Sequence, residues 1–174
     1  MPIPAGSWWN TGRVSETKWL NPAERRAWLA LLATATMLPG AVEAPLQRAA
    51  KFSLFDYNVL AMLSETADRT LPMSELAART SASLSRLSHV VKKLESRGYI
   101  TRDTHADDAR VTTATITAEG LELVERLAPD HVAHVRSLVF DQLDMADVED
   151  LARIGRKLVG GMDADHWILR TPEP

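Results

Sequence analysis

Six basic side chains fall between positions 79 and 102: Arg79, Arg86, Lys92, Lys93, Arg97 and Arg102. The single acid Glu95 opposes them, a local net charge of +5 in a chain whose formal net charge is −3. Clustered ammonium and guanidinium groups displace counterions from a polyanion, and guanidinium forks match phosphate oxygens and the guanine edge. A solvated helix face is the plain alternative. Asp130, His131 and His134 are metal-ligand types at i, i+1 and i+4, but no cysteine and no HExxH pair accompanies them. A packed or interface histidine on the stripe Leu121, Val124, Ala128, Val135, Leu138 is the expectation there. Arg25, Trp28 and Tyr57 are candidates to line a small-molecule pocket, against an ordinary core role for the two aromatics. There is no nucleophile elbow, phosphate-binding loop or glycine-rich dinucleotide turn, and Asp107-Asp108 lies in a polar connector. Neither enzyme chemistry nor a metal or cofactor is expected.

These residues need elements to hold them. The charge cluster lies on a pattern that predicts a helix from about Ser83 to Arg97. Leu84, Leu87, Val90, Val91 and Leu94 form its apolar face, and Ser85, Arg86, Ser88, His89, Lys92 and Lys93 the other. Gly98 ends it. A short helix over 73–79 precedes it, opened by Pro72, and Thr80 to Ser83 make the turn between them. The β-branched runs 99–102 and 111–117 predict two strands joined by the polar stretch 103–110.

Around this middle lie longer helices. Asn21, Pro22 and Glu24 are a helix start, and apolar residues recur to about residue 48, with Pro39-Gly40 and Pro45 predicting a kink or break. Ser53 and Asp56 open a second helix, and 66–70 is a loop. Thr117 caps a long helix to roughly Leu143, with a kink at Pro129. A last helix runs from Asp144 or Met145 to Val159 and stops at Gly160-Gly161. Eleven acids against five bases give a net −6 from 119 to 165. Residues 1–20 read as an arm carrying Trp8, Trp9 and Trp19.

The 174 residues, 45% hydrophobic and 25% charged, have the composition of one soluble globular chain. No uninterrupted run of about 18 apolar residues and no secretory leader is seen, so a cytoplasmic protein without a membrane span is expected. Zero cysteines exclude disulfides, iron–sulfur clusters and thiol chemistry.

Short helix, turn, basic helix, hairpin is the order of a winged helix-turn-helix. Residues 71–120 resemble the DNA-binding core of the MarR family of bacterial transcription regulators. The resemblance rests on SerGluLeuAla (74–77), LeuGluSerArgGlyTyrIleThrArg (94–102), AspAlaArg (108–110) and IleThrAlaGluGly (116–120). It implies a mainly α fold with a β-hairpin wing and long dimerisation helices. The divisions expected are an arm at 1–20, a dimerisation helix at 21–49, a winged lobe at 50–117, dimerisation helices at 118–160 and a tail at 161–174. It also implies a homodimeric repressor on a pseudo-palindromic duplex, released by a small aromatic or anionic effector. Ser83, Ser85, Arg86, Ser88 and His89 would face base edges or nearby phosphates. Lys92 and Lys93 would lie toward the backbone, Arg102 would belong to the DNA-binding set, and Arg110, steered by Asp108, would enter the minor groove. His89 stands where many relatives carry Arg, and Pro72 where a hydroxyl cap is common. A winged-helix module that binds protein through the same surface is the alternative.

Overall fold

The computed structural model describes residues 17–105 and 108–170, with the backbone alone at 105 and 108–110. Among them the order is α1 (Pro22–Ala50), α2 (Leu54–Ser64), β1 (Thr70–Pro72), α3 (Met73–Arg79), α4 (Leu84–Ser96), β2 (Ile100–His105) and β3 (Asp108–Ile116). Then come α5 (Ala118–Leu138), a 3-10 turn at Phe140–Gln142, α6 (Met145–Met162) and α7 (Trp167–Arg170). The three strands form one antiparallel sheet in the order β1-β3-β2. This is the expected class: mainly α, with a winged helix-turn-helix at its centre.

Local chemistry sets the helix starts. Ser53 Oγ accepts from the Asp56 N–H at 3.0 Å, and Asp56 Oδ2 accepts from the Ser53 N–H at 2.8 Å, a reciprocal capping box on α2. Asp144 and Asp147 repeat it on α6, and Asn21 with Glu24 does the same on α1. Thr117 Oγ1 accepts from the Gly120 N–H at the start of α5 and donates to the Gly98 carbonyl at 2.7 Å. That one hydroxyl ties the sheet, the end of α4 and α5 together. Gly98 has φ +79°, which allows α4 to stop and β2 to leave.

The chain divides after Leu38 into two compact units. In the first, Trp19, Leu20, Trp28, Leu29, Leu31, Leu32 and Met37 are exposed. The second holds the hydrophobic core, centred on Phe52, Val59, Leu60, Leu63, Leu76, Leu87, Val91, Leu94, Ile100 and Ala114. In the same unit Val132, Leu138 and Phe140, and Met145, Leu151, Ile154, Leu158 and Met162 of α6, stay exposed.

Several elements differ from expectation. The helix α1 continues through Pro39 and Pro45. Pro45 has no N–H for the Ala41 carbonyl four residues back, and His134 Nε2 donates to that oxygen instead, at 3.1 Å. The loop at 66–70 gives way to β1, where Leu71 is buried and pairs with Ala114; three residues are too few to show alternation. Strand β2 reaches His105 and β3 begins at Asp108, so the hairpin is longer than the β-branched runs alone. The helix α5 stops at Leu138, with the 3-10 turn at Phe140–Gln142 beyond it, and α6 runs through both glycines to Met162. There the Asp163 N–H closes the last turn on the Val159 carbonyl at 2.8 Å. Leu84, expected on the apolar face, is 52% exposed, because it stands a turn ahead of Leu87, where the core begins. An 18-residue window of α1 reaches a mean hydropathy of 1.4, long and apolar enough to cross a membrane although no uninterrupted apolar run exists.

Candidate nucleic-acid interface

One face of α4 is spent on the core through Leu87, Val91 and Leu94, which fixes the direction of the other. Ser83 caps α4 by accepting from the Arg86 N–H at 3.2 Å. Beyond it Leu84, Ser85, Arg86, His89 and Lys92 are exposed, and Ser88 is half-buried beside them. Five of the expected residues therefore stand together on one outward helical face, and Ser83 sits at its start. The Arg86 guanidinium lies over the Phe55 ring, 4.2 Å from its centre, a cation–π contact that aims the side chain while leaving it in solvent.

Two of the expected cations are turned elsewhere. Lys93 Nζ donates to Asp56 Oδ2 at 2.6 Å, and that carboxylate is only 1% exposed. The lysine answers a buried acid on α2 instead of facing outward. Arg102 Nε and Nη2 both donate to Glu95 Oε2, at 3.0 and 2.6 Å. This holds the Glu95 carboxyl below its usual range and raises the Arg102 guanidinium, each chiefly through that hydrogen bond. The bridge joins β2 to α4, at the root of the wing. Arg97 is likewise engaged, stacked over Phe52 and Tyr99 at 4.5 and 5.2 Å. Of the +5 counted along the chain, the part aimed outward on α4 is Arg86 and Lys92, with His89 between them.

Arg110 is in β3, two residues past the start of the strand at Asp108; the side chains of both, like the Trp8 and Trp9 of the arm, lie outside what the structure describes. Leu84 is the residue that sequence reasoning assigned to the wrong face. Its position as first residue of the helix was the available signal, since a terminal turn overhangs the core.

The residues expected to line an effector pocket fall in both units. Arg25 and Trp28 border a shallow hollow with Trp19, Leu20 and Leu29. Tyr57 is buried in the other unit, its ring 4.3 Å from that of His131. Burial, and then Glu65, pushes its hydroxyl pKa up. A different cavity, of about 330 Å³, lies between the C-terminal half of α1 and α5. Val42, Pro45, Leu46 and Leu127 give it apolar walls, and Arg48, Asp130, His131 and His134 its polar ones. Burial, and then His134, keeps the His131 pKa below the usual range, and His131 Nδ1 is buried without a partner. His134 is bonded to the Ala41 carbonyl, and the His131 ring packs at a tilt against that of Tyr57.

The profile of winged helix DNA-binding domains matches residues 56–139. The regulator MhqR of Bacillus subtilis is 28% identical over 104 residues, 58% of this chain and 70% of that protein. Two crystal structures from Streptomyces coelicolor superpose on 86% of this chain. Sco3205, a MarR family transcriptional regulator in complex with DNA, is 36% identical with a TM-score of 0.82 over 94% of its length. AbsC, a MarR family transcriptional regulator, is 32% identical with a TM-score of 0.81 over its full length. A helix-turn-helix with its polar face outward, a wing rooted by Arg102 and Glu95, and this extent of likeness lead to one conclusion: the chain belongs to the MarR family of winged helix-turn-helix transcriptional regulators.

Proposed function

We propose that the protein is a cytoplasmic, homodimeric repressor that sets α4 of each copy into the major groove of successive half-sites of a pseudo-palindromic duplex. The observation that carries this is the outward face of α4, where Ser85, Arg86, Ser88, His89 and Lys92 stand together on a helix anchored by Leu87, Val91 and Leu94. Arg86 suits a guanine edge, Lys92 a phosphate, and the hydroxyls and His89 either. Leu84 adds an apolar contact of the kind only the thymine methyl offers in that groove. Arg110 enters the minor groove from the wing, and Asp108 steers it. Lys93 and Arg102 support the interface from behind by holding α4 against α2 and the wing against α4.

The exposed apolar faces of α1, the end of α5 and α6 are the surfaces we assign to the second copy. That assignment also accounts for the apolar length of α1 without a membrane. The cavity beside Arg48, His131 and His134 is the place we assign to a small anionic aromatic effector, at the lower end of ligand-pocket volumes (about 300 to 1,000 Å³).

The test is selection of duplexes from a randomised pool, followed by titration of the enriched sequence. An enriched palindrome is the expected result. Arg110→Ala should then weaken it by about 1–3 kcal/mol at matched salt, the ordinary worth of one groove contact. Equal affinity of the two proteins would remove Arg110 from the interface. Absence of any enrichment would favour a protein-binding winged helix instead.

A further inference from the structure

Past α6 the chain turns back onto the helix-turn-helix. Arg156 Nη1 and Nη2 donate to the carbonyls of Ile168 and Leu169 at 2.5 and 3.2 Å, groups that a four-residue helix leaves open at its end. Leu169 lies over Gly160, 3.5 Å from where a Cβ would stand. Thus α7 is fastened to α6. The segment also meets α3 and the turn that follows it. The Trp167 ring faces the Arg79 guanidinium at 6.0 Å, Arg170 Nη2 is 3.9 Å from Glu75 Oε2, and His166 Nε2 is 3.3 Å from Ser81 Oγ.

The His166 contact has a defined direction. The Ile168 N–H donates to His166 Nδ1 at 3.4 Å, so in the neutral ring Nε2 carries the hydrogen and Ser81 Oγ accepts it. Ser81 is itself in the left-handed region, with φ +50°, at the pivot between α3 and α4. A serine holds that conformation at a cost, and surrounding contacts must maintain it. The pivot that aims the recognition helix is therefore braced by a segment belonging to the far end of the chain.

We propose that residues 163–170 are a positioning element for DNA binding, a strap that ties α6 to the α3–α4 turn. It makes the setting of α4 depend on the packing of α6. This role rests on the DNA-binding reading above and adds to it a named route from the association helices to the recognition helix.

The experiment uses the full chain and the duplex that the unaltered protein enriches from a randomised pool. Trp167→Ala should keep the dimer mass and melting temperature and lose about tenfold in affinity, within the range that coupled sites show. The slope of log affinity against log salt should not change, because no phosphate contact is removed. Trp167→Phe should restore most of the affinity. His166→Ala, which removes the contact to the turn together with the acceptor of the Ile168 N–H, should lose affinity in the same direction while keeping the dimer mass. Unaltered affinity in both alanine variants would overturn the strap. A flattened salt slope would do so too, by making the segment a direct DNA contact. If the unaltered protein enriches no sequence, the DNA-binding reading fails and the strap falls with it.

Discussion

Lys92 and Lys93 are neighbours on α4, alike in charge and in exposure by type, yet their surroundings give them different work. Lys93 compensates Asp56, whose Oδ2 it reaches at 2.6 Å and whose Oδ1 is buried without a partner. Removing the ammonium leaves a buried carboxylate with only the Ser53 N–H to answer it. Lys93→Ala should therefore cost about 1–3 kcal/mol of folding stability, the desolvation cost of an abandoned buried group, discounted because the lysine is half in water. Lys92 faces solvent, so Lys92→Ala should leave the melting temperature in place. It should instead flatten the salt dependence of DNA binding by roughly one unit of slope, uniformly across sequences. Denaturant melts and salt titrations of both variants separate the roles; identical behaviour of the pair would contradict the assignment.

At the scale of the element, α5 carries most of the joints. Gly120 sits in its first turn, where an added Cβ would stand 2.3 Å from the Tyr99 carbonyl oxygen and 2.8 Å from Ile116 Cγ1. Backbone cannot yield as a side-chain tip can. Gly120→Ala should destabilise by about 1–3 kcal/mol or more, seen as a lower urea midpoint. Further along, burial holds the His131 pKa below its ordinary value, with His134 adding to the effect. The unfolded imidazole takes a proton near pH 6.5 while the folded one resists it. Stability is thus fully present above that pH and declines as pH falls below it. His131→Phe, which keeps a ring against Tyr57, should flatten the decline between pH 7 and 5 in thermal melts; an unchanged profile would place the titration elsewhere. Much of this was legible in the sequence. The capping pairs Asn21 with Glu24 and Ser53 with Asp56, the C-terminal Gly98 and the helix-turn-helix order rest on local rules, and the fold follows them. What was hidden depends on distant partners. The IleThrAlaGluGly run could be seen as a motif, but its glycine is required by the carbonyl of Tyr99. Pro45 signals a break because its missing bond is local, whereas the repair comes from His134, ninety residues later. Lys93 and Arg102 looked like free cations because Asp56 and Glu95 meet them only in the fold.

At the scale of the whole molecule, the decisive fact is apolar surface left exposed among the described residues. Trp28, Leu31 and Leu32 on α1, and Leu151, Ile154 and Leu158 on α6, are each 44% exposed or more, and Leu138 at the end of α5 is 36% exposed. Exposed leucines taken singly mean little, but recurrence at helical spacing, on α1 and again on α6, is the reason these faces are the ones we assign to a second copy. The buried core cluster runs from Leu46 to Leu127 and does not include them. A two-fold pair would also place its two α4 helices about one DNA turn apart, roughly 34 Å, which is what reading two half-sites requires. Association and specific binding should then be lost together. Leu138→Asp puts a carboxylate into that seam without touching the buried core. The expected result is a halved mass by light scattering, a preserved helical circular dichroism spectrum and loss of specific DNA binding, while weak salt-dependent binding through Arg86 and Lys92 persists. The unaltered chain should keep its dimer mass at micromolar concentration. A stable, well-folded monomer at that concentration, still selecting a palindrome, would remove both the interface and the two-half-site arrangement built on it.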